Sequence, residues 1–216
     1  MYFAIEGVIG VGKTTLARML QPAFQSGLLL EVFEENPFLS DFYADRQRYA
    51  FQTQMFFLLS RYQQQRHGVS SLLAENDTLI SDYTFEKDAL FARINLKGDE
   101  LEMYYRVHAA LAEKTMVPNL VVYLRASTDV LMQRIAQRDR SYERRMDRAY
   151  IESLNQAYDA FYMHENHSSP VLVIDSNSRD FVRREEDLDW IETRIRQALH
   201  LAPFQPELPI GSHPAV

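Results

Sequence analysis

Eight residues near the N-terminus, Gly7-Val8-Ile9-Gly10-Val11-Gly12-Lys13-Thr14, constrain this chain more tightly than any other segment. They follow an apolar run at residues 2–5 and open a helical pattern over residues 14–20, so they read as the loop between a strand and a helix. Gly7, Gly10 and Gly12 let the backbone curl with its amides turned inward, which is how a short loop holds phosphate groups. The helix N-terminus adds a positive dipole, Lys13 reaches the outer phosphates, and Thr14 offers a hydroxyl to Mg²⁺. The segment therefore predicts a site for ATP and Mg²⁺, with Val11 and Thr15 completing the nucleotide-binding set.

Four more apolar runs, at residues 28–33, 78–81, 120–124 and 171–174, alternate with segments of helical periodicity. Strands that are apolar on both faces and separated by helices indicate a parallel sheet covered on both sides. The expected fold is α/β: a P-loop NTPase-type three-layer fold with a five-stranded parallel sheet flanked by helices and an arginine-rich lid. A chain of 216 residues accommodates one such domain, assigned to residues 1–200. Pro203, Pro206, Pro209 and Pro214 mark residues 201–216 as a loosely ordered tail. The formal net charge of −7 argues against a nucleic-acid partner held on a broad basic face. With no cysteine, disulfides and thiolate chemistry are excluded. The N-terminal run lacks the basic leader or the length of a membrane span, so the expected location is the cytoplasm, with no membrane partner.

A phosphate loop serves many enzymes, and the guanine-reading pattern Asn-Lys-x-Asp is absent from the sequence. After the fourth strand come Arg134, Arg138, Arg140, Arg144 and Arg145. Arg134 and Arg138 are one helical turn apart and can face one ligand, as in a lid that closes over a transferring phosphoryl group and excludes water. A solvated charged helix face is the other reading of the same run. Glu31, near the end of the second strand, is placed to take a proton from an attacking hydroxyl; Glu34 and Glu35 compete with it. Residues 48–65 read as an amphipathic helix on which Gln54 and Arg61, seven positions apart, share a face and can read a base edge, or else form an exposed stripe.

Five blocks taken together resemble the deoxynucleoside kinase family, in particular its bacterial deoxyadenosine and deoxyguanosine kinase branch, over residues 2–195. Besides the phosphate loop they are the run from Glu31 to Leu39, the stretch from Phe42-Tyr43 through Gln54 to Arg61-Tyr62, Ser81-Asp82-Tyr83-Thr84, and Tyr123-Leu124-Arg125-Ala126-Ser127 leading to Arg138-Asp139-Arg140. The resemblance implies that Glu31 is the general base that deprotonates a sugar 5′-hydroxyl as it attacks the γ-phosphate. It implies that Tyr43 and Glu143 bind the 3′-hydroxyl, that Gln54 pairs with the base, and that Arg61 with Asp88 completes base recognition. It makes Lys13, Arg134, Arg138 and Arg140 the phosphate-binding and lid cations, and Thr14 with Asp82 the Mg²⁺ residues. Phe51 and Phe85 fall where aromatic residues line the nucleoside pocket, or are plain core.

Two positions depart from the family pattern. Val32 stands where proline commonly follows the base, and Tyr83 stands where many members carry an arginine, which removes one expected positive charge near the acceptor. The carboxamide of Gln54 offers one donor and one acceptor, which fits adenine, so a purine and deoxyadenosine ahead of deoxyguanosine is the expected substrate. A nucleoside monophosphate kinase and a nucleotide-sensing module without catalysis remain the alternatives. The resemblance also implies a homodimer built through the helices between residues 43 and 108, with a heterodimer with a sister kinase left open.

Overall fold

All five residues of the first strand, β1 (Tyr2–Glu6), are buried, so both of its faces are covered, as a central strand of a parallel sheet requires. The structure is a computed structural model that describes residues 1–32, 35–144, 146–164 and 167–203. After β1 the chain runs through α1 (Lys13–Phe24), β2 (Gly27–Leu29), α2 (Leu39–Ala44), α3 (Arg46–Glu75) and β3 (Leu79–Ser81). It continues through α4 (Lys87–Asn95), α5 (Gly98–Ala112), β4 (Leu120–Arg125), α6 (Thr128–Arg138), α7 (Arg148–His164), β5 (Val171–Asp175) and α8 (Glu185–Ala198). The strands form one five-stranded sheet in the order β2-β3-β1-β4-β5, with every neighbouring pair parallel. Ala4 lies opposite Ser81 on one side and Val121 on the other. The chain order reverses around β1, and in open α/β sheets ligands bind at the carboxyl ends of the strands beside such a reversal.

Three predicted elements differ in extent. The second strand, expected over residues 28–33, ends at Leu29 because the amide of Glu31 is captured by Asp82 Oδ1 at 2.8 Å instead of continuing the ladder; Phe33 lies outside the described residues. The first helix, expected to end near Leu20, runs to Phe24, since Leu16, Leu20 and Phe24 sit at i, i+4 and i+8 and all are buried. Pro22 falls in its last turn, where a missing amide hydrogen costs one bond and does not stop the helix. The helix expected over 48–65 is 30 residues long, Arg46–Glu75, and is capped by Asp45, whose carboxylate accepts from the amide of Arg48 at 3.2 Å. Of the Pro-rich tail, Pro203 is the last described residue, and Pro206, Pro209 and Pro214 lie outside the described residues.

Glycine is required at position 7, where φ is 147° and a Cβ would stand 2.4 Å from the carbonyl oxygen of Leu124. The backbone of the phosphate loop thus lies directly against β4. Gly7→Ala is expected to cost about 2 kcal/mol through left-handed strain and backbone overlap, read as a lowered midpoint in thermal unfolding.

Candidate active site

The phosphate loop leaves β1 and enters α1 at Gly12, whose φ of 106° turns the chain into the helix. Lys13 Nζ donates to the carbonyl of Gly7 at 2.7 Å and lies 3.4 Å from that of Val8, folded over the loop that it would share with phosphates. Burial, followed by the nearby charge of Lys87, pushes the Lys13 ammonium down to about 8. Thr14 Oγ1 donates to Asp82 Oδ2, so the ends of α1 and β3 are tied together. A hydroxyl and a carboxylate side by side are hard oxygen ligands of the kind Mg²⁺ takes in part from protein and in part from substrate phosphates. Among the described residues no cluster of three metal-ligating side chains forms. Thr14 and Asp82 therefore fit a magnesium ion that shares its shell with the nucleotide.

Glu31 stands beside this loop with both carboxylate oxygens engaged. Arg61 Nε donates to Oε1 at 2.9 Å, with Nη2 on the same oxygen, while Lys87 Nζ donates to Oε2 at 2.7 Å. The far side of the Arg61 guanidinium meets Asp88 Oδ1. The four side chains form a chain of alternating charge, nearly closed to solvent: Lys87 is 4% exposed, Arg61 7%, Asp88 1% and Glu31 15%. Burial works against the charge of Glu31, yet Arg61 and Lys87 together hold its carboxyl well below the usual carboxylate range. It is ionised at every physiological pH. For Asp88 burial wins and pushes the carboxyl up to about 6 against the pull of Arg61 and Lys87. Arg61 stays firmly protonated between the two carboxylates.

One cavity brings together Lys13, Thr14, Glu31, Asp82, Gln54, Arg61, Tyr43, Arg138, Arg140 and Glu143 from the predicted set. The stripe of α3 is therefore buried and not an exposed face: Gln54 is 3% exposed. Among the described residues nothing bonds the Gln54 carboxamide, which leaves it for a ligand. Arg138 donates to both oxygens of Glu143, at 2.5 and 3.1 Å, and Arg140 lies 3.8 Å from the same carboxylate. Tyr43 stacks on Tyr142 with ring centroids 6.2 Å apart. Asp88 does not line the cavity; it acts from behind Arg61.

Some predicted residues sit elsewhere. Arg134 does not line the cavity of Glu31 and Arg140: it donates to the carbonyls of Val11 and Ser176 at 3.0 and 2.9 Å, bracing the phosphate loop against the end of β5. It lines a second cavity together with Arg138, Gly10, Gly12, Thr15 and Phe181, so the two arginines do share one cavity, as their one-turn spacing predicts. Arg144 turns away to an exposed pair with Asp139, and Arg145 and Glu34 lie outside the described residues. Phe85 stacks on His108, ring centroids 4.8 Å apart, and is core. Phe51 is partly buried against the core and does not line the cavity, whose phenylalanines are Phe42, Phe57 and Phe91. Lys87 was missed by the sequence analysis, because a lysine at a helix start reads as solvated. Glu6 was missed as well. It is fully buried at the end of β1 and accepts from the amide and hydroxyl of Thr84 at 2.5 and 3.0 Å, fixing β3 to the phosphate loop.

A sequence model of the deoxynucleoside kinase family matches residues 3–200. The chain belongs to the deoxynucleoside kinase family. A deoxyguanosine kinase of Bacillus subtilis (strain 168) is 34% identical over 201 residues, spanning 92% of this chain and 97% of the relative. A deoxyadenosine kinase of Dictyostelium discoideum is 31% identical, spanning 95% of this chain and 83% of the relative. A solved structure of deoxyadenosine kinase from M. mycoides with bound dCTP superposes at a TM-score of 0.78 with 26% identity, covering 91% of this chain and 100% of that one. This deoxynucleoside kinase is thus an enzyme that phosphorylates deoxynucleosides with ATP as donor, on the parallel α/β scaffold of its relatives. No helix among its described residues is long and apolar enough to cross a membrane.

The kinase's Lys13 supplies a pH prediction. With no phosphate present its ammonium loses its proton near pH 8, and bound phosphates raise that value by charge attraction. ATP binding therefore takes up a proton above pH 8, and affinity falls by up to about tenfold per pH unit between pH 8 and 10. Calorimetry in buffers of different ionisation enthalpy measures both; an ATP affinity flat over that range would contradict the placement of Lys13.

Proposed function

We propose that this kinase transfers the γ-phosphoryl group of ATP to the 5′-hydroxyl of a purine deoxynucleoside, as a salvage enzyme of the cytoplasm. The observation that carries the reading is the ionised Glu31 carboxylate set between the phosphate loop and Gln54 in one cavity. The bond from O5′ to Pγ forms as the bond from Pγ to the β,γ-bridging oxygen breaks, and the hydroxyl proton passes to Glu31. Lys13, Arg138 and Arg140 stabilise charge on the transferring oxygens, while Arg134 holds the loop from the nucleotide side. Thr14 and Asp82 would hold Mg²⁺, which screens the phosphate charge. Tyr43 and Glu143 bind the sugar 3′-hydroxyl, with Glu143 kept in place by Arg138. Arg61, fixed by Asp88, closes the base end of the pocket.

The donor and acceptor of the Gln54 carboxamide complement adenine, so deoxyadenosine is the preferred substrate in this reading. Deoxyguanosine is the second reading, favoured by the 34% identity to the Bacillus subtilis deoxyguanosine kinase. Residues 1–200 constitute the kinase domain. The protein works as a homodimer in this reading, supported by exposed Leu59 on α3 and exposed Met103 and Tyr105 on α5. Initial rates with Mg-ATP and deoxyadenosine, deoxyguanosine, deoxycytidine or thymidine rank the bases. A clear lead for either purine supports the reading, and a lead for thymidine would sink it.

A further inference from the structure

Lys87 opens α4 with its side chain 4% exposed, a costly place for an ammonium. Its partner is Glu31 Oε2 at 2.7 Å, and its nitrogen lies 5.5 Å from the ring centroid of Tyr83. The Glu31 charge alone does not call for it, since Arg61 already donates two hydrogen bonds to Oε1. Arg61, however, leaves Oε2 unheld, so the carboxylate plane would be fixed on one oxygen only. Lys87 and Lys13 both line the cavity that also holds Thr14 and Asp82.

We infer that Lys87 is a positioning residue for phosphoryl transfer: from the first turn of α4 it fixes Oε2 of Glu31 beside the phosphate loop, supplying the positive charge that Tyr83 does not. The inference rests on Glu31 being the base. Tyr83 is buried with its hydroxyl donated to Gln64 Oε1 at 3.2 Å, so position 83 serves the core and the charge comes from Lys87, four residues later at the start of α4. Substrate affinity is set elsewhere, by Gln54, Arg61, Tyr43 and Glu143, and a loss at Lys87 is therefore read in kcat.

The test uses the full chain, which has no cysteine, so Lys87→Cys introduces a single thiol. Lys87→Met and Lys87→Cys are expected to lower kcat by about 100-fold with deoxynucleoside KM changed less than about threefold, because a transition-state interaction and not uniform binding is lost. Alkylation of the cysteine variant with 2-bromoethylamine, which rebuilds a side chain of lysine length and charge, should restore kcat by at least about tenfold. Alkylation with iodoacetamide, similar in bulk but neutral, should restore nothing. In the Glu31→Gln background Lys87→Met should add less than about threefold, as expected of two residues acting as a unit. Equal recovery with both reagents, or a Lys87→Met enzyme with near-parental kcat, would overturn the inference. If the cysteine variant does not fold, as judged by thermal melting and ATP binding, Lys87→Arg replaces it: retained kcat supports the role of charge, and a loss as deep as that of Lys87→Met overturns it. Glu31→Gln alone separates the two levels. If it is fully active, the base reading falls and this inference with it; if it is inactive while Lys87→Met is normal, only the role of Lys87 falls.

Discussion

Glu31→Gln is expected to lose between about 10²- and 10⁴-fold in kcat while binding Mg-ATP as the parent does. The replacement keeps the size and shape of the side chain and removes its negative charge and its capacity to take a proton. The amide must also turn one hydrogen-bearing nitrogen toward either Arg61 or Lys87, so the carboxylate's bonds to the two cations cannot both be kept. The phosphate loop keeps its place, because Lys13 and Arg134 bond its carbonyls independently of Glu31. Single-turnover rates with saturating ATP measure the loss, and calorimetry checks the binding. A variant within tenfold of the parent would mean that another group takes the proton.

The second large effect belongs to Arg61→Met. Among the described residues Arg61 is the only cation that touches both Glu31 and Asp88, and Asp88 is fully buried. Removing it leaves Asp88 without its ion-pair partner, a situation that costs about 3–5 kcal/mol. The pH dependence carries the signature. Burial already pushes Asp88 up to about 6 with Arg61 present, and without it the folded-state value rises further, above the unfolded value near about 4. The unfavourable charge is then present in full above the folded-state value and is relieved as pH falls and Asp88 takes a proton. The variant should therefore recover stability relative to the parent between pH 8 and 5. Urea unfolding at both pH values reads this directly, and an equal deficit at pH 5 and pH 8 would contradict the assignment.

The sheet and the phosphate loop were legible in the sequence because each is written in local terms. β1, β4 and β5 are short apolar runs, and the glycines at 7, 10 and 12 sit where the structure has positive φ. Glu31, Gln54 and Arg61 were legible through the family resemblance, although their burial was not, since a glutamine and an arginine on a helix ordinarily face water. What stayed hidden depends on contacts distant in sequence. Lys87 is buried only because Glu31, 56 positions earlier, meets it. The early end of β2 depends on Asp82, 51 positions beyond Glu31. Arg134 and Arg138 share a helix at one-turn spacing and line one cavity, yet their hydrogen bonds diverge: the first reaches the Val11 carbonyl and the second Glu143. Periodicity places residues on a face but does not say which neighbour waits there.

Product analysis of a reaction containing Mg-ATP and both purine deoxynucleosides tests the central claim most directly. The expected products are deoxynucleoside 5′-monophosphate and ADP in equal amounts, with no ATP hydrolysis when the acceptor is left out. Conversion of added 5′-monophosphates to diphosphates, with no product from any deoxynucleoside, would contradict it.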